Sequence, residues 1–163
     1  MTYRVCFVCT GNICRSPMAE SVFRARLAEA GLGDRVEADS AGTGGWHEGE
    51  AADPRTVRIL EEHGYDAEHV ARRFQPSWFA RLDLVIALDL SHLTALRRLA
   101  PTEEDARKVR LLRSYDPSAA DDLDVPDPYY GGPDGFEECL EMVEAASTGL
   151  LADVRERLEG RAA

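Results

Sequence analysis

One stretch constrains this chain more than any other. An apolar, β-branched run, Tyr3–Val8, passes through Cys9-Thr10-Gly11-Asn12-Ile13-Cys14-Arg15 directly into Ser16-Pro17. The run has the make-up of a strand buried on both faces of a parallel sheet. Ser16-Pro17 has that of a helix start, an N-cap followed by the favoured first-turn proline. A strand that feeds a helix through one short loop opens a βαβ unit, and the rest of the chain repeats the alternation. The first helix runs through Met18, Val22, Phe23 and Leu27 and stops near Gly31. Val36–Ser40 reads as a second strand. Asp53-Pro54 repeats the cap-and-proline signal, and Gly64 closes that helix. Leu82–Leu88 reads as the third strand, Ser91 as the cap of a helix to about Ala100, and Val109–Leu112 as a short fourth strand. The expected fold is α/β, a four-stranded parallel sheet with helices on both faces. The 163 residues fit one domain spanning 1–163, within the usual ~100–200 residues per domain.

The segment 114–135 has the composition of a long loop, with four prolines, three glycines and six aspartates. Loops of that length inside a domain are uncommon and often functional. A long amphipathic helix follows, with Asp134 as its cap and Glu137 three residues on. Phe136, Leu140, Val143, Leu150, Val154 and Leu158 recur at steps of three, four or seven, and Gly160 ends the helix.

The net charge of −11, from 19 basic and 30 acidic residues, excludes a general nucleic-acid or anionic-membrane binder, because the basic footprint is missing. The charge is uneven. Residues 1–40 are neutral, with five charges of each sign, so the whole excess of acid lies beyond residue 40. An anionic small substrate is least repelled by the N-terminal segment. No apolar run approaches the ~20 residues of a membrane span. The apolar run after Arg4 is too short for the core of a signal peptide. Four cysteines in such a chain make no disulfide framework, so a reducing cytoplasm is the expected compartment.

The loop after the first strand carries the chemistry. At the carboxyl end of a strand and the N-terminus of a helix, backbone N–H groups converge and the helix dipole favours an anion. Gly11 and Asn12 are the residue types that most easily take left-handed conformations, which turning amides inward demands. Arg15 offers a planar fork for two oxygens of a phosphate. Cys9 stands at the mouth of this ring of positive dipoles, where a thiolate nucleophile is favoured, and Ser16 can donate to its sulfur. Cys6-Phe7-Val8-Cys9 matches the spacing of half a zinc site but has no second pair, and it lies inside the strand rather than after it. No Gly-x4-Gly-Lys-Ser/Thr occurs, so a Walker nucleotide loop is excluded.

Val8 to Pro17, followed by Met18-Ala19-Glu20, resembles the signature of the low-molecular-weight protein tyrosine phosphatases. The resemblance continues in order through Asp39-Ser40-Ala41-Gly42, Trp46, Asp53-Pro54-Arg55, His63-Gly64, His69 with Ala71-Arg72, Asp83 to Leu88, Tyr115-Asp116-Pro117 and Asp127-Pro128-Tyr129-Tyr130-Gly131. It implies a phosphatase that needs no metal or other cofactor. Cys9 would attack phosphorus and form a phosphocysteine. Arg15 and the loop, Thr10, Gly11, Asn12, Ile13, Cys14 and Ser16, would hold the phosphoryl oxygens. Asp127 would protonate the leaving phenolate and then deprotonate the attacking water. The resemblance further assigns Ser40 and His69 to supporting Asn12, and Trp46, Tyr129 and Tyr130 to walls around a phenyl ring. Cys14 would be a redox partner that traps oxidised Cys9 as a disulfide, while Cys6 and Cys139 read as core residues. The implied partners are tyrosine-phosphorylated proteins, with inorganic phosphate or similar oxyanions in the loop. Three alternatives stand beside this one. The arsenate reductases of the same fold need two further cysteines near the third strand, and residues 15–138 hold none. The protein arginine phosphatases typically have Thr where Ile13 stands and lack the paired tyrosines. A silent phosphopeptide-binding module would not need Cys9, Arg15 and Asp127 together.

Overall fold

The protein, as a computed structural model, is described over residues 2–162; the side chains of Tyr130, Pro133, Arg161 and Ala162 lie outside that description. Strands β1 (Tyr3–Cys9), β2 (Val36–Gly42), β3 (Leu84–Ala87) and β4 (Val109–Leu111) form one parallel sheet in the order β2-β1-β3-β4. β1 pairs with β2 from Tyr3↔Val36 to Cys9↔Gly42, and with β3 from Val5↔Leu84 to Val8↔Ala87. The chain thus steps to one side of β1 and later crosses to the other. The carboxyl end of β1 is the switch point at which open α/β sheets place ligands.

Side chains alternate across the sheet and bury both faces. Val5, Phe7 and Cys9 face helices α1 (Arg15–Glu29), α2 (Pro54–Glu62) and the C-terminal α5 (Pro133–Ala162). Phe7 meets Phe23 of α1 edge-on, ring centres 5.6 Å apart. Cys6 and Val8 face the other way, into a smaller core closed by α3 (Leu90–Leu99) and the turn Pro76–Ala80. Every apolar position read from the period of the last helix, Phe136 to Leu158, is buried.

The departures from the sequence reading lie mostly at ends. β1 reaches Cys9 and β2 reaches Gly42, while β3 begins only at Leu84. α1 starts at Arg15, with Cys14 at its N-cap position and no side-chain cap. Ser16, expected as that cap, turns its hydroxyl elsewhere. α3 is capped by Asp89, which accepts from the His92 N–H at 3.0 Å; Ser91 lies inside the helix. A five-residue helix, α4 (Glu103–Arg107), was missed, although Thr102 and three acidic residues in its first turn mark a start. The segment 114–135 is not structureless, for short 3-10 turns follow Asp116-Pro117 and Asp127-Pro128. α5 begins at Pro133, with Asp134 inside its first turn, and continues past Gly160.

α2 begins as read, and its cap reaches into the loop after β1. The Asp53 carboxylate accepts the Arg55 N–H at 2.9 Å and both arms of the Arg55 guanidinium at 3.0 and 2.9 Å. The Asp53 N–H donates to the Ile13 carbonyl at 2.9 Å. Hydrogen bonds from Arg55 hold the Asp53 carboxyl below its usual range. Such a group stabilises the fold above its unfolded pKa, and the contribution disappears as pH falls through the lower folded value. Asp53→Ala is therefore expected to cost about 1–2 kcal/mol at neutral pH. In thermal melts the gap from wild type should narrow below about pH 4.

Candidate active site

The chain leaves β1 at Cys9 and enters α1 at Arg15, so the intervening loop must fold back tightly. Asn12 provides the turn, with φ at 57°, in the left-handed region expected of it. Gly11, expected there too, keeps an ordinary φ. Its lack of a side chain serves another purpose, since a Cβ would lie 2.9 Å from His47 Cδ2.

Asn12 is fully buried, and its amide orientation is fixed by its partners. The Arg72 N–H donates to Oδ1 at 3.0 Å, so the NH2 end must point the other way. There it donates to Ser16 Oγ at 2.8 Å and Ser40 Oγ at 3.0 Å. Ser40 passes its own proton to Glu20 Oε1 at 2.6 Å. His69 Nε2 donates to the Asn12 carbonyl at 2.6 Å, and burial keeps that imidazole below its ordinary pKa. The Ser16 hydroxyl lies nearer to Cys9 Sγ, at 3.0 Å, than to the Ala41 carbonyl, at 3.4 Å, and donates to that sulfur once it is a thiolate; the Ser16 N–H approaches the same sulfur at 3.4 Å. Five polar side chains from α1, β2 and two loops thus aim two donors at one thiol. Glu20 and Arg72 were not picked out as part of this set from the sequence.

Arg15 is almost wholly buried, at 3% exposure. One terminal nitrogen donates to Asp89 Oδ2 at 2.8 Å and to the Val125 carbonyl at 2.9 Å. The other lies 3.6 Å from Asp127 Oδ2, 3.4 Å from Thr10 Oγ1 and 3.5 Å from His92 Nε2. Burial alone would lower the Arg15 pKa, but the negative charges expected at Cys9, Asp89 and Asp127 outweigh it, and the pKa is raised. Burial opposes ionisation of Asp89 as well. Hydrogen bonds from the Ser91 hydroxyl, the His92 N–H and Arg15, with the charge that His92 carries at acid pH, prevail and lower its pKa. Asp89 was missed in the sequence, although it stands just beyond β3 at the same edge as Cys9.

Cys9, Arg15 and Asp127 face one cleft of about 350 Å³, which Thr10, Ile13, Cys14, Trp46, His47 and Tyr129 also line. Asp127 arrives on the 3-10 turn Pro128–Tyr130, where its Oδ1 accepts the Tyr129 N–H at 3.0 Å. Trp46 is 74% exposed and Tyr129 40%, so both present aromatic surface to solvent at the rim. The Trp46 ring folds over Gly44, where a Cβ would come within 1.9 Å of it. The Arg55 guanidinium stacks 5.2 Å from the Tyr129 ring centre and donates to the Tyr129 carbonyl at 3.1 Å. Tyr130, the third expected wall, has its side chain outside the described residues. Cys14 is buried at the start of α1, where burial and Asp53 push its thiol up to about 12. Cys6 points into the opposite core from Cys9, so the two cannot share a metal. Among the described residues, no group of three His, Cys, Asp or Glu side chains is placed to hold a metal ion.

Known proteins share both this sequence and this architecture. The model of the low molecular weight phosphotyrosine protein phosphatases matches residues 4–160. A low molecular weight protein-tyrosine-phosphatase of Streptomyces coelicolor is 80% identical over the full length of both chains. Low molecular weight protein-tyrosine phosphatase A of Mycobacterium tuberculosis is 50% identical, covering 94% of this chain and 93% of its own. A protein tyrosine phosphatase of Entamoeba histolytica, crystallised with Hepes in the active site, superposes with a TM-score of 0.91 at 33% identity. That match covers 95% of this chain and 98% of the other. YfkJ of Bacillus subtilis superposes at 0.89 with 37% identity, covering 96% and 97%. A Cys9–Arg15 loop at the switch point of a β2-β1-β3-β4 sheet, with sequence similarity along almost the whole chain, places this protein in the low molecular weight phosphotyrosine protein phosphatase family.

Proposed function

We propose that this phosphatase, a single catalytic domain over residues 1–163, hydrolyses phosphotyrosine on proteins through a phosphocysteine. The observation that carries the reading is the convergence of Cys9 Sγ, the Arg15 guanidinium and the Asp127 carboxylate on one cleft at the N-terminus of α1. In the first step Cys9 attacks phosphorus, the P–O bond to the phenol breaks, and Asp127 gives its proton to the leaving oxygen. In the second, water attacks the phosphocysteine. Asp127 takes the water proton, and the thiolate leaves with hydrogen bonds from the Ser16 hydroxyl and N–H. Arg15 and the loop from Thr10 to Ser16 hold the equatorial oxygens throughout. Ser40 and His69 support the loop through Asn12. No step calls for a metal or other cofactor.

Trp46, Tyr129 and Tyr130 are assigned as walls for the phenyl ring, and Ile13 also lines the cleft. These apolar groups favour phosphotyrosine over phosphoarginine. Hepes carries a sulfonate, a tetrahedral oxyanion like phosphate, which supports inorganic phosphate and its mimics as ligands of the loop. The thiols suit a reducing compartment, the cytoplasm. The test is initial-rate assay of matched phosphotyrosine, phosphoarginine and phosphoserine peptides with chelator present. Preferential release of phosphate from phosphotyrosine supports the reading; preferential turnover of phosphoarginine overturns it.

Cys14 is assigned as the redox partner. Peroxide oxidises the Cys9 thiolate to a sulfenic acid. The Cys14 sulfur then attacks, its proton leaving with the sulfenic oxygen as water, and a disulfide forms. Because the Cys14 thiol sits near 12, that proton must leave in the same step. Peroxide is expected to give a Cys9–Cys14 disulfide that thiols reverse, and Cys14→Ser should be inactivated irreversibly. Mass spectrometry of the oxidised enzyme reads the outcome, and over-oxidised Cys9 alone in wild type would sink the assignment.

A further inference from the structure

His92 has no part in the chemistry above, yet it is buried against it. It lies in the first turn of α3, 2% exposed, with Nε2 2.8 Å from Thr10 Oγ1 and 3.5 Å from the Arg15 terminal nitrogen that also faces Asp127. We propose that His92 and Thr10 are a positioning pair, with a neutral imidazole acceptor holding the Arg15 guanidinium at the angle from which it clamps a phosphoryl group. The proposal rests on the phosphatase reading above and deepens it.

One terminal nitrogen of Arg15 spends both its protons on Asp89 and the Val125 carbonyl. The other also has two protons. One can enter the cleft only if the second finds an acceptor on the far side, and Thr10 Oγ1 and His92 Nε2 are the groups there. Nε2 has one lone pair, so it can take the Thr10 proton and leave the Thr10 oxygen free to accept from Arg15, provided the ring proton is on Nδ1; the tautomer of His92 decides it. Nδ1 lies 3.2 Å from Asp89 Oδ1, out of line for a hydrogen bond. A proton on Nδ1 meets the carboxylate favourably, whereas a bare Nδ1 would set lone pair against lone pair. Nδ1 therefore carries the proton, and Nε2 accepts from the Thr10 hydroxyl. With its own proton given to Nε2, Thr10 can offer its oxygen to Arg15. Burial first, and then the charge of Arg15, push His92 down to about 4 against the pull of Asp89, so the ring is neutral when the enzyme works near neutrality.

A buried histidine could instead be mere filling, and the experiment separates the two. His92→Leu, His92→Gln, Thr10→Val and the double variant Thr10→Val/His92→Leu are compared for kcat and KM on p-nitrophenyl phosphate. Direct binding of inorganic phosphate and Tm are measured alongside. His92→Leu is expected to lose about tenfold or more in kcat, as misplaced catalytic groups do. Phosphate binding should weaken in parallel. His92→Gln, with a carbonyl acceptor of similar reach and no charge to gain, should recover most of the loss. The double variant should cost no more than the larger of the two single losses, because a shared interaction is lost only once. In the unmodified protein, 15N spectra should show a protonated Nδ1 and a bare Nε2. Wild-type turnover in His92→Leu, no rescue by Gln, additive losses or a protonated Nε2 would each overturn the pair. Phosphate binding and the tautomer need no turnover, so an enzyme that hydrolyses no phosphoester would defeat the proposed function and leave this test readable.

Discussion

Cys9→Ser is expected to fold like wild type, to bind inorganic phosphate, and to lose roughly 10⁴–10⁶-fold in turnover, the scale seen when a nucleophile is removed. The fold should survive because the exchange keeps a small side chain in a site that already holds two hydrogen-bond donors. Ser16 Oγ, 3.0 Å away, and the Ser16 N–H, 3.4 Å away, can donate to oxygen as they do to sulfur. Phosphate binding should survive because the loop, α1 and Arg15 do that work. Turnover should not, because a serine hydroxyl does not ionise near neutrality and is a weak nucleophile at its free pKa. Substantial activity in this variant, measured by phosphate release from a phosphotyrosine peptide, would remove Cys9 from the mechanism.

Asp127→Ala is expected to lower phosphotyrosine hydrolysis by about 10²–10⁴-fold, the range for general acid–base catalysis. The loss should shrink for aryl phosphates whose phenolates leave unaided. Asp127 also faces Arg15 at 3.6 Å and caps the turn that carries Tyr129. A loss through misplaced Arg15 or a misplaced turn would fall equally on good and poor leaving groups. The rate constants across a series of phenols with graded pKa values separate the two. Steeper dependence on leaving-group pKa in the variant identifies the acid, and parallel lines would make Asp127 a structural residue.

The architecture was legible because it is built from local signals. β1 and β3 are apolar runs, α2 is marked by Asp53-Pro54, and Gly31 and Gly64 stop helices at φ 73° and 81°. Element ends were less legible, since tertiary partners decide them. Ser16 reads as a cap but serves Cys9 and Asn12, and α1 begins without a side-chain cap. Ser91 reads as a cap, yet Asp89 holds the backbone. The site divides the same way. Cys9 and Arg15 stand out because they bracket one short strand-to-helix loop, and Asp127 stands out only through its place in the Asp127-Pro128-Tyr129-Tyr130 stretch that resembles the family's. Asp89 and His92 reach Arg15 across more than seventy positions of sequence, and nothing in their own neighbourhood marks them. Glu20 and Arg72 were hidden too, because an acid on a helix and an arginine in a loop read as surface charges until Ser40 and Asn12 are placed between them.

In this mechanism phosphorus passes through the Cys9 sulfur. Rapid denaturation of the enzyme during turnover of a phosphotyrosine peptide, followed by peptide mass spectrometry, tests it directly. The account predicts a phosphoryl group on the peptide containing Cys9, absent from Cys9→Ser and accumulating in Asp127→Ala with an activated substrate. A phosphoryl group found on another side chain, or none during rapid turnover with inversion of configuration at phosphorus, would contradict it.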